Sequence, residues 1–597
     1  MSEQATLDLP RWDLSDLYKG ADDPKIDDHL AEQQRLAEKF EENYKSRIAA
    51  PDLEAPLLAQ ALDDYEALAR LGGKIGSYAS LLFSTDTTDP KRGALQQKVR
   101  ERSSTASTHL IFFGLEIGRI TDEVYEHIKD HPSLSRYRHY LDLQRQLAAH
   151  HLSEAEETVL EETANSRGRA FRRLFTEVTS RMSFEMTIDG EQKTLTQSEL
   201  LAYNYDPDRS LRRQASQSLA VELQDKAHVL TFIMNTLLHE KQVMDRLRKF
   251  SYPEEERHLD NELPGHAVDA MVEVCVENYD IIASYYKLKA RLLGLDELTH
   301  YDRYAPLEEV KQHIAYSQAQ QMVLDAYGKF SPKLRELAEP FFTKNWIDAP
   351  VAKGKRGGAF CAGVTPDHHP YVLLNYTNKP RDVMTMAHEL GHGVHDRLAA
   401  DNHALDYHPV LPLAETASTF GEMLVFEQLY QSLDNDKARL ALLCEKLEDT
   451  FATVFRQVAM YRFEQRLHRA RRDRGELETE TINQLWQECQ QEMFGQALTL
   501  GEDHKWTWLY IPHIVQWSFY VYAYAFGELL VLSLYARYKE EGESFIPKYF
   551  QLLAAGGSRK PQDILGDLGI DVTEKAFWQG GCDLIRRNLE RALSLAG

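Results

Sequence analysis

Cysteine is scarce. Only Cys275, Cys361, Cys444, Cys489 and Cys582 occur in 597 residues, an odd number with no CxxC pair. That excludes a disulfide framework and fits reduced thiols in a cytoplasmic protein. Glycine (31) and proline (21) are too few for a collagen-like or low-complexity chain. Positive charge is short as well. Sixty-nine Lys and Arg face 93 Asp and Glu, a net −24. The Arg471-Arg-Asp-Arg474 run is brief and followed by Glu476. Such a chain repels phosphate backbones, so no nucleic-acid partner is expected. Met1–Leu17 has neither a basic nor an apolar leader, and no secretory or mitochondrial address is expected. No long uncharged apolar run occurs. The nearest, Phe519–Tyr535, carries four tyrosines and Glu528 near its middle. A membrane span needs about 20 apolar residues with few charges, so this segment predicts a buried helix and no membrane partner.

What is there is length and helical periodicity. A chain of this size exceeds one compact core. Leu447, Phe451, Val454, Phe455 and Val458 recur at three- and four-residue steps. Similar stripes cover Leu57–Leu71, Leu141–Leu160 and Met271–Leu292. Strand signals are few. Phe184–Ile188 alternates and Asp189-Gly190 follows, which predicts a hairpin. Tyr371–Thr377 is β-prone and bounded by Pro370 and Pro380. The Gly354–Gly363 stretch before it reads as a mobile loop. Thr196-Gln-Ser-Glu199 is a capping-box signature. These features place one boundary near 195, giving an N-terminal helical domain, 1–195, and a catalytic unit, 196–597.

The chemistry concentrates after the strand, in His388-Glu389-Leu-Gly-His392, with Asp382 as the expected N-cap of its helix. Residues four apart differ by about 40° in azimuth and about 6 Å in rise, so both imidazoles face one point and can share a Zn²⁺. Glu389 then stands beside the metal as a base for water, the HExxH arrangement. Chance alone gives about 0.08 such matches in a chain with this His and Glu content. His239-Glu240 starts a similar helix, but Val243 stands where the second His is needed. A zinc site needs a third protein ligand. Position 398 is Leu, and His395 lies about 10 Å along the helix from His388. Glu415, 23 residues after His392 in Leu413-Ala-Glu-Thr-Ala-Ser-Thr-Phe-Gly-Glu422, suits the role better. Glu422, two turns on from it, is placed to support a ligand His or to be an exposed carboxylate. Water attack on a carbonyl builds an oxyanion that needs a further donor. His513, Tyr520 and Tyr524 share a face if their segment is one continuous helix, whereas Tyr522 points away.

His388-Glu-Leu-Gly-His-Gly-Val-His395, then Glu415 in Ala-Glu-Thr-Ala-Ser-Thr-Phe, resembles the oligoendopeptidase F branch of the thimet-oligopeptidase family of zinc peptidases. So do Trp12-Asp-Leu-Ser-Asp-Leu-Tyr18, Pro370-Tyr-Val-Leu-Leu-Asn-Tyr-Thr377, Arg456-Gln457 with Phe463-Glu464, and Ile511-Pro-His513 with Phe519–Tyr524. The resemblance runs nearly end to end. It implies a mainly α, two-lobed metallopeptidase around a deep central channel, with a small antiparallel sheet beside the HExxH helix. It implies His388, His392 and Glu415 as ligands of one Zn²⁺ per chain and Glu389 as general base. His513 would bind substrate backbone, and Tyr520 or Tyr524 the oxyanion. The implied activity is hydrolysis of internal bonds in short, unfolded oligopeptides. Cys361 departs from the small residues or Ser expected in its loop. Two rivals remain. An exopeptidase with the same zinc machinery needs a cation to seize a C-terminal carboxylate. A catalytically silent peptide-binding protein would have lost one of the four metal-site residues.

Overall fold

The apolar stripes fold as helices, and 71% of the described residues are helical. This is a computed structural model, and it describes residues 9–307 and 313–597. The leader reading at positions 1–8 lies outside the described residues. The chain forms two compact units, each assembled from separate stretches. Unit one comprises Met1–His151, Lys311–Ser432 and Arg537–Ile570; unit two comprises Leu152–Val310, Leu433–Ala536 and Asp571–Gly597. The 195/196 position lies inside unit two, between a hairpin and a helix.

In unit one the N-terminal helices Pro24–Tyr44, Ala55–Thr85 and Ile111–Arg119 share one apolar core. Phe40 meets Phe113 edge to face at 5.0 Å, an arrangement the ring quadrupoles favour. The Trp12–Tyr18 motif anchors this unit to its sheet. Trp12 and Tyr18 are buried, the Trp12 ring lies 6.0 Å from Tyr371, and Asp16 accepts from the Tyr371 hydroxyl and from His369.

Two sheets occur among the described residues. Strand β1 (Phe184–Ile188) pairs antiparallel with β2 (Glu191–Leu195) in unit two. Asp189 and Gly190 both have positive φ, 54° and 83°, the two-residue turn that matches strand twist. The Thr196–Glu199 capping box follows as expected. In unit one, β3 (Ile347–Asp348), β4 (Phe360–Ala362) and β5 (Tyr371–Leu373) line up in the order β3-β5-β4. The β4–β5 pairing is antiparallel; a two-residue parallel pair with β3 extends it. The expected strand shortens to three residues and is central, so β4 is one of the two edges of the sheet. That edge comes from the glycine-rich stretch, which is not loose. Lys355, fully buried, donates to Asp348 Oδ1 at 2.6 Å and to the carbonyls of Pro350 and Leu374 at 2.7 Å. A buried ammonium with three or more acceptors is a fixed anchor.

Unit two is built on the 40-residue helix Arg209–Arg248, about 60 Å long. Its first turn is fastened by Arg209 and Arg212, which clasp the fully buried Asp302 at 2.7 and 2.9 Å. The apolar Phe519–Tyr535 run supplies the helix Tyr522–Glu541, almost wholly buried up to Tyr535. Among the described residues no helix is long and apolar enough to cross a membrane.

Candidate active site

The HExxH motif lies in the helix Pro380–Leu398. Val383, Met386, Ala387, Leu390 and Val394 form its buried stripe at helical spacing. The helix starts at Pro380, two residues before the expected cap. Asp382 sits in the first turn instead, and its carboxylate accepts from the Thr377 and Lys379 amides at 2.6 and 3.0 Å. Proline at the first helical position needs no donor, which moves the start forward while Asp382 still satisfies free amides.

The motif helix packs against the helix Thr416–Ser432 with backbone nearly touching backbone. A Cβ at Gly391 would collide with the Ala417 carbonyl, and one at Gly421 with the Tyr327 hydroxyl. Only glycine allows that approach. It brings Glu415, at the join of the short helix Leu411–Ala414 and Thr416–Ser432, onto the histidines. His388 Nε2 and His392 Nε2 lie 3.2 Å apart, and Glu415 Oε2 is 3.3 and 3.4 Å from them. Four-coordinate zinc with bonds of about 2.0–2.1 Å separates its donor atoms by about 3.3 Å. The three donor atoms therefore fit a tetrahedral ion with the fourth position open. His395, one further turn along, is buried, and burial pushes its imidazole down to about 4.

The surroundings orient this set. Glu422 Oε1 accepts from His388 Nδ1 at 2.6 Å, leaving Nε2 to face the donor triangle. Ser418, fully buried, donates to Glu415 Oε2 at 2.7 Å. Burial pushes His388 down, but the hydrogen bond and charge of Glu422, aided by Glu415 and Glu389, lift it to about 9. Burial pushes Glu415 up, yet the hydrogen bond and charge of His392, with His388 and Ser418, hold it near 2. Three carboxylates around two imidazoles make a field that attracts a divalent cation. Glu389 is buried, and desolvation raises its carboxyl above the ordinary range against the pull of His388 and His392. The Cys361 amide of β4 bonds to it. His388, Glu389 and His392 line a cavity of about 380 Å³. Cys361 lines it too, and burial raises the pKa of its thiol well above the ordinary value.

The other predicted residues lie in unit two. Their segment is not one helix. Pro512–Gln516 ends before Trp517, and Phe519 takes a left-handed φ of 56° before Tyr522–Glu541 begins. The buried Glu464 carboxyl fixes this break by accepting the Phe519 amide at 2.9 Å. The three rings still converge: His513 is 6.4 Å from Tyr520 and 6.1 Å from Tyr524, and the tyrosines are 5.3 Å apart. Tyr522 turns away, as expected, to His258 and Asn261. The false start at His239-Glu240 is structural, with Glu240 accepting the Gly168 amide at 3.0 Å.

Sequence reading missed Ser418, whose only signal is Glu-x-x-Ser spacing, and the Cys361 amide, which has no side-chain signal. It also missed Asp16, His368 and His369, whose ligand atoms converge elsewhere in unit one. There Asp16 and His369 stand 2.6 Å apart, a hydrogen-bond distance too short for two donors on one metal.

Comparison with known proteins agrees with this geometry. The family model Peptidase family M3 matches residues 202–584, and the model Oligopeptidase F matches 116–184. The chain is 27% identical over 516 residues to Group B oligopeptidase PepB of Streptococcus agalactiae, covering 85% of each chain. It is 25% identical over 552 residues to oligopeptidase PepF of Bacillus subtilis, covering 92% of this chain and 82% of that one. The crystal structure of oligoendopeptidase-F from Enterococcus faecium has the same fold, with a TM-score of 0.72 at 22% identity over 96% of this chain and 98% of that one. Since the first model alone spans well over half of the sequence, the chain belongs to peptidase family M3, on its oligoendopeptidase F branch, and is a metalloendopeptidase.

Proposed function

We propose that the protein is a zinc-dependent endopeptidase that hydrolyses internal bonds of short, unfolded oligopeptides. The observation that carries the zinc assignment is the near-equilateral triangle of His388 Nε2, His392 Nε2 and Glu415 Oε2, with edges of 3.2–3.4 Å. These three residues would hold one Zn²⁺, which supplies Lewis-acid polarisation of a peptide carbonyl and acidifies water. Glu389 takes the proton of the attacking water and passes it to the leaving amine nitrogen as the C–N bond breaks. Glu422 keeps Nδ1 of His388 protonated, so that Nε2 offers its lone pair. His513 binds substrate backbone, and a hydroxyl of the Tyr520–Tyr524 pair donates to the oxyanion. The edge of β4, whose Cys361 amide holds Glu389, would align an extended peptide beside that carboxyl. Relatives called oligopeptidases and oligoendopeptidases support the choice of substrate class.

Glu389→Gln should lose at least about a thousandfold in kcat, as a removed acid–base group does, while metal analysis still finds one zinc per chain. Near-normal cleavage by that variant would overturn the assigned role. Cutting inside a peptide blocked at both ends distinguishes an endopeptidase from an obligate exopeptidase.

A further inference from the structure

Unit two holds two arginines whose charge has no carboxylate partner among the described residues. Arg456 Nη1 donates to the Tyr304 hydroxyl at 3.3 Å, and the Arg303 guanidinium stacks over the Tyr304 ring at 4.4 Å. Both line a small cavity of about 60 Å³ with His300, Tyr304 and Tyr510, the room of a carboxylate rather than a side chain. Arg303 Nε is buried with no hydrogen-bond partner. The acid that shares their surroundings, Glu448, is already engaged. Its Oε1 accepts from the fully buried Lys289 at 2.5 Å and from the Tyr285 hydroxyl. Lys289, Arg303 and Arg456 thus share the neighbourhood of one carboxylate. Burial pushes the Tyr304 phenol up, yet Arg303 and Arg456 together hold it below its ordinary value. Tyr510 and Ile511 line the same cavity and run directly into Pro512 and His513, so it lies beside the segment that carries the His513–Tyr520–Tyr524 cluster.

We infer that Arg303 and Arg456, with Tyr304, form an anion site that takes the C-terminal carboxylate of an oligopeptide. A planar guanidinium pairs bidentately with a carboxylate, and two of them can embrace one. This rests on the reading above that the His513 cluster faces substrate. Internal cleavage is still possible, because the anchor grips the chain end and not the scissile bond.

Binding of one oligopeptide, fluorescently labelled at its N-terminus, is compared as free acid and as C-terminal amide on the zinc-loaded Glu389→Gln protein. The free acid should bind about ten- to a hundredfold tighter, the range expected of charge-assisted hydrogen bonds. Adding Arg456→Gln or Arg303→Gln should weaken the acid to the level of the amide while leaving the amide unchanged. Should either variant misfold by circular dichroism, the acid–amide comparison on the parent stands alone. Inorganic phosphate separates the two sources of anion. If phosphate raises the melting temperature only when both arginines are present but acid and amide bind equally, the site takes a free anion and the peptide assignment is overturned. If acid and amide bind equally and phosphate has no effect, the anion site itself is overturned. Because binding is read without turnover, failure of the catalytic reading shows separately, as an active-site-intact parent that binds peptide and does not cut it.

Discussion

Glu422 is where metal affinity and chemistry should come apart. It contacts His388 only on the side away from the donor triangle. Glu422→Gln should weaken zinc binding about 10–100-fold, with activity recovered in excess zinc, as competition against a chelator would read. Glu464 is the residue-scale counterpart in unit two. Desolvation raises its carboxyl to about 8, outweighing the Phe519 amide and Arg257. In the folded state it therefore keeps a proton that the unfolded chain releases near its ordinary value of 4.5. The folded state binds more protons between those values, so this group's stabilisation is full below about 4.5 and is lost as pH rises through about 8. Subtracting Glu464→Gln denaturation curves from those of the parent should expose a slope of up to about 1.4 kcal/mol per pH unit in that window. A pH-independent difference would mean that Glu464 is ionised in the fold.

The elements show how close approach builds the site. Gly391→Ala should cost about 1–3 kcal/mol in urea denaturation and loosen zinc, because a methyl there must push the Glu415 helix off the histidines. Asp382→Ala should cost about 1 kcal/mol, since two amides before the motif helix lose their acceptor. Much of this level was legible. The hairpin declared itself through alternation and Asp189-Gly190, and the metal helix through four-residue His spacing. Both depend on contacts a few residues apart. The role of Asp382 was misjudged because a proline two positions earlier competes to start the helix. The glycine-rich stretch read as loose because its anchor, Lys355, is buried by residues that sequence does not mark as neighbours. The continuity on which a shared helix face of His513, Tyr520 and Tyr524 depended is absent for the same reason. Its interruption at Phe519 is held by Glu464, 55 positions upstream.

For the whole molecule, ligand binding and folding are one equilibrium. Stripping zinc should lower the melting temperature, because an ion at a thousand times its dissociation constant contributes about 4 kcal/mol to the folded state. Hydrogen exchange should then quicken across 380–432 and not across 512–524; equal quickening in both would place the metal elsewhere. The division into units was the least readable feature. Local signals set a break near 195, whereas the compact units take turns along the chain, and no short-range pattern reports that a late segment rejoins an early one.

That late return has its own consequence. Tyr549 stacks on Phe420 at 4.3 Å, and its hydroxyl donates to the carbonyl of Thr416, the residue beside the acidic ligand. A polypeptide still emerging from the ribosome has the whole HExxH signature outside long before residue 549 appears. Until then the turn that presents Glu415 lacks its aromatic brace.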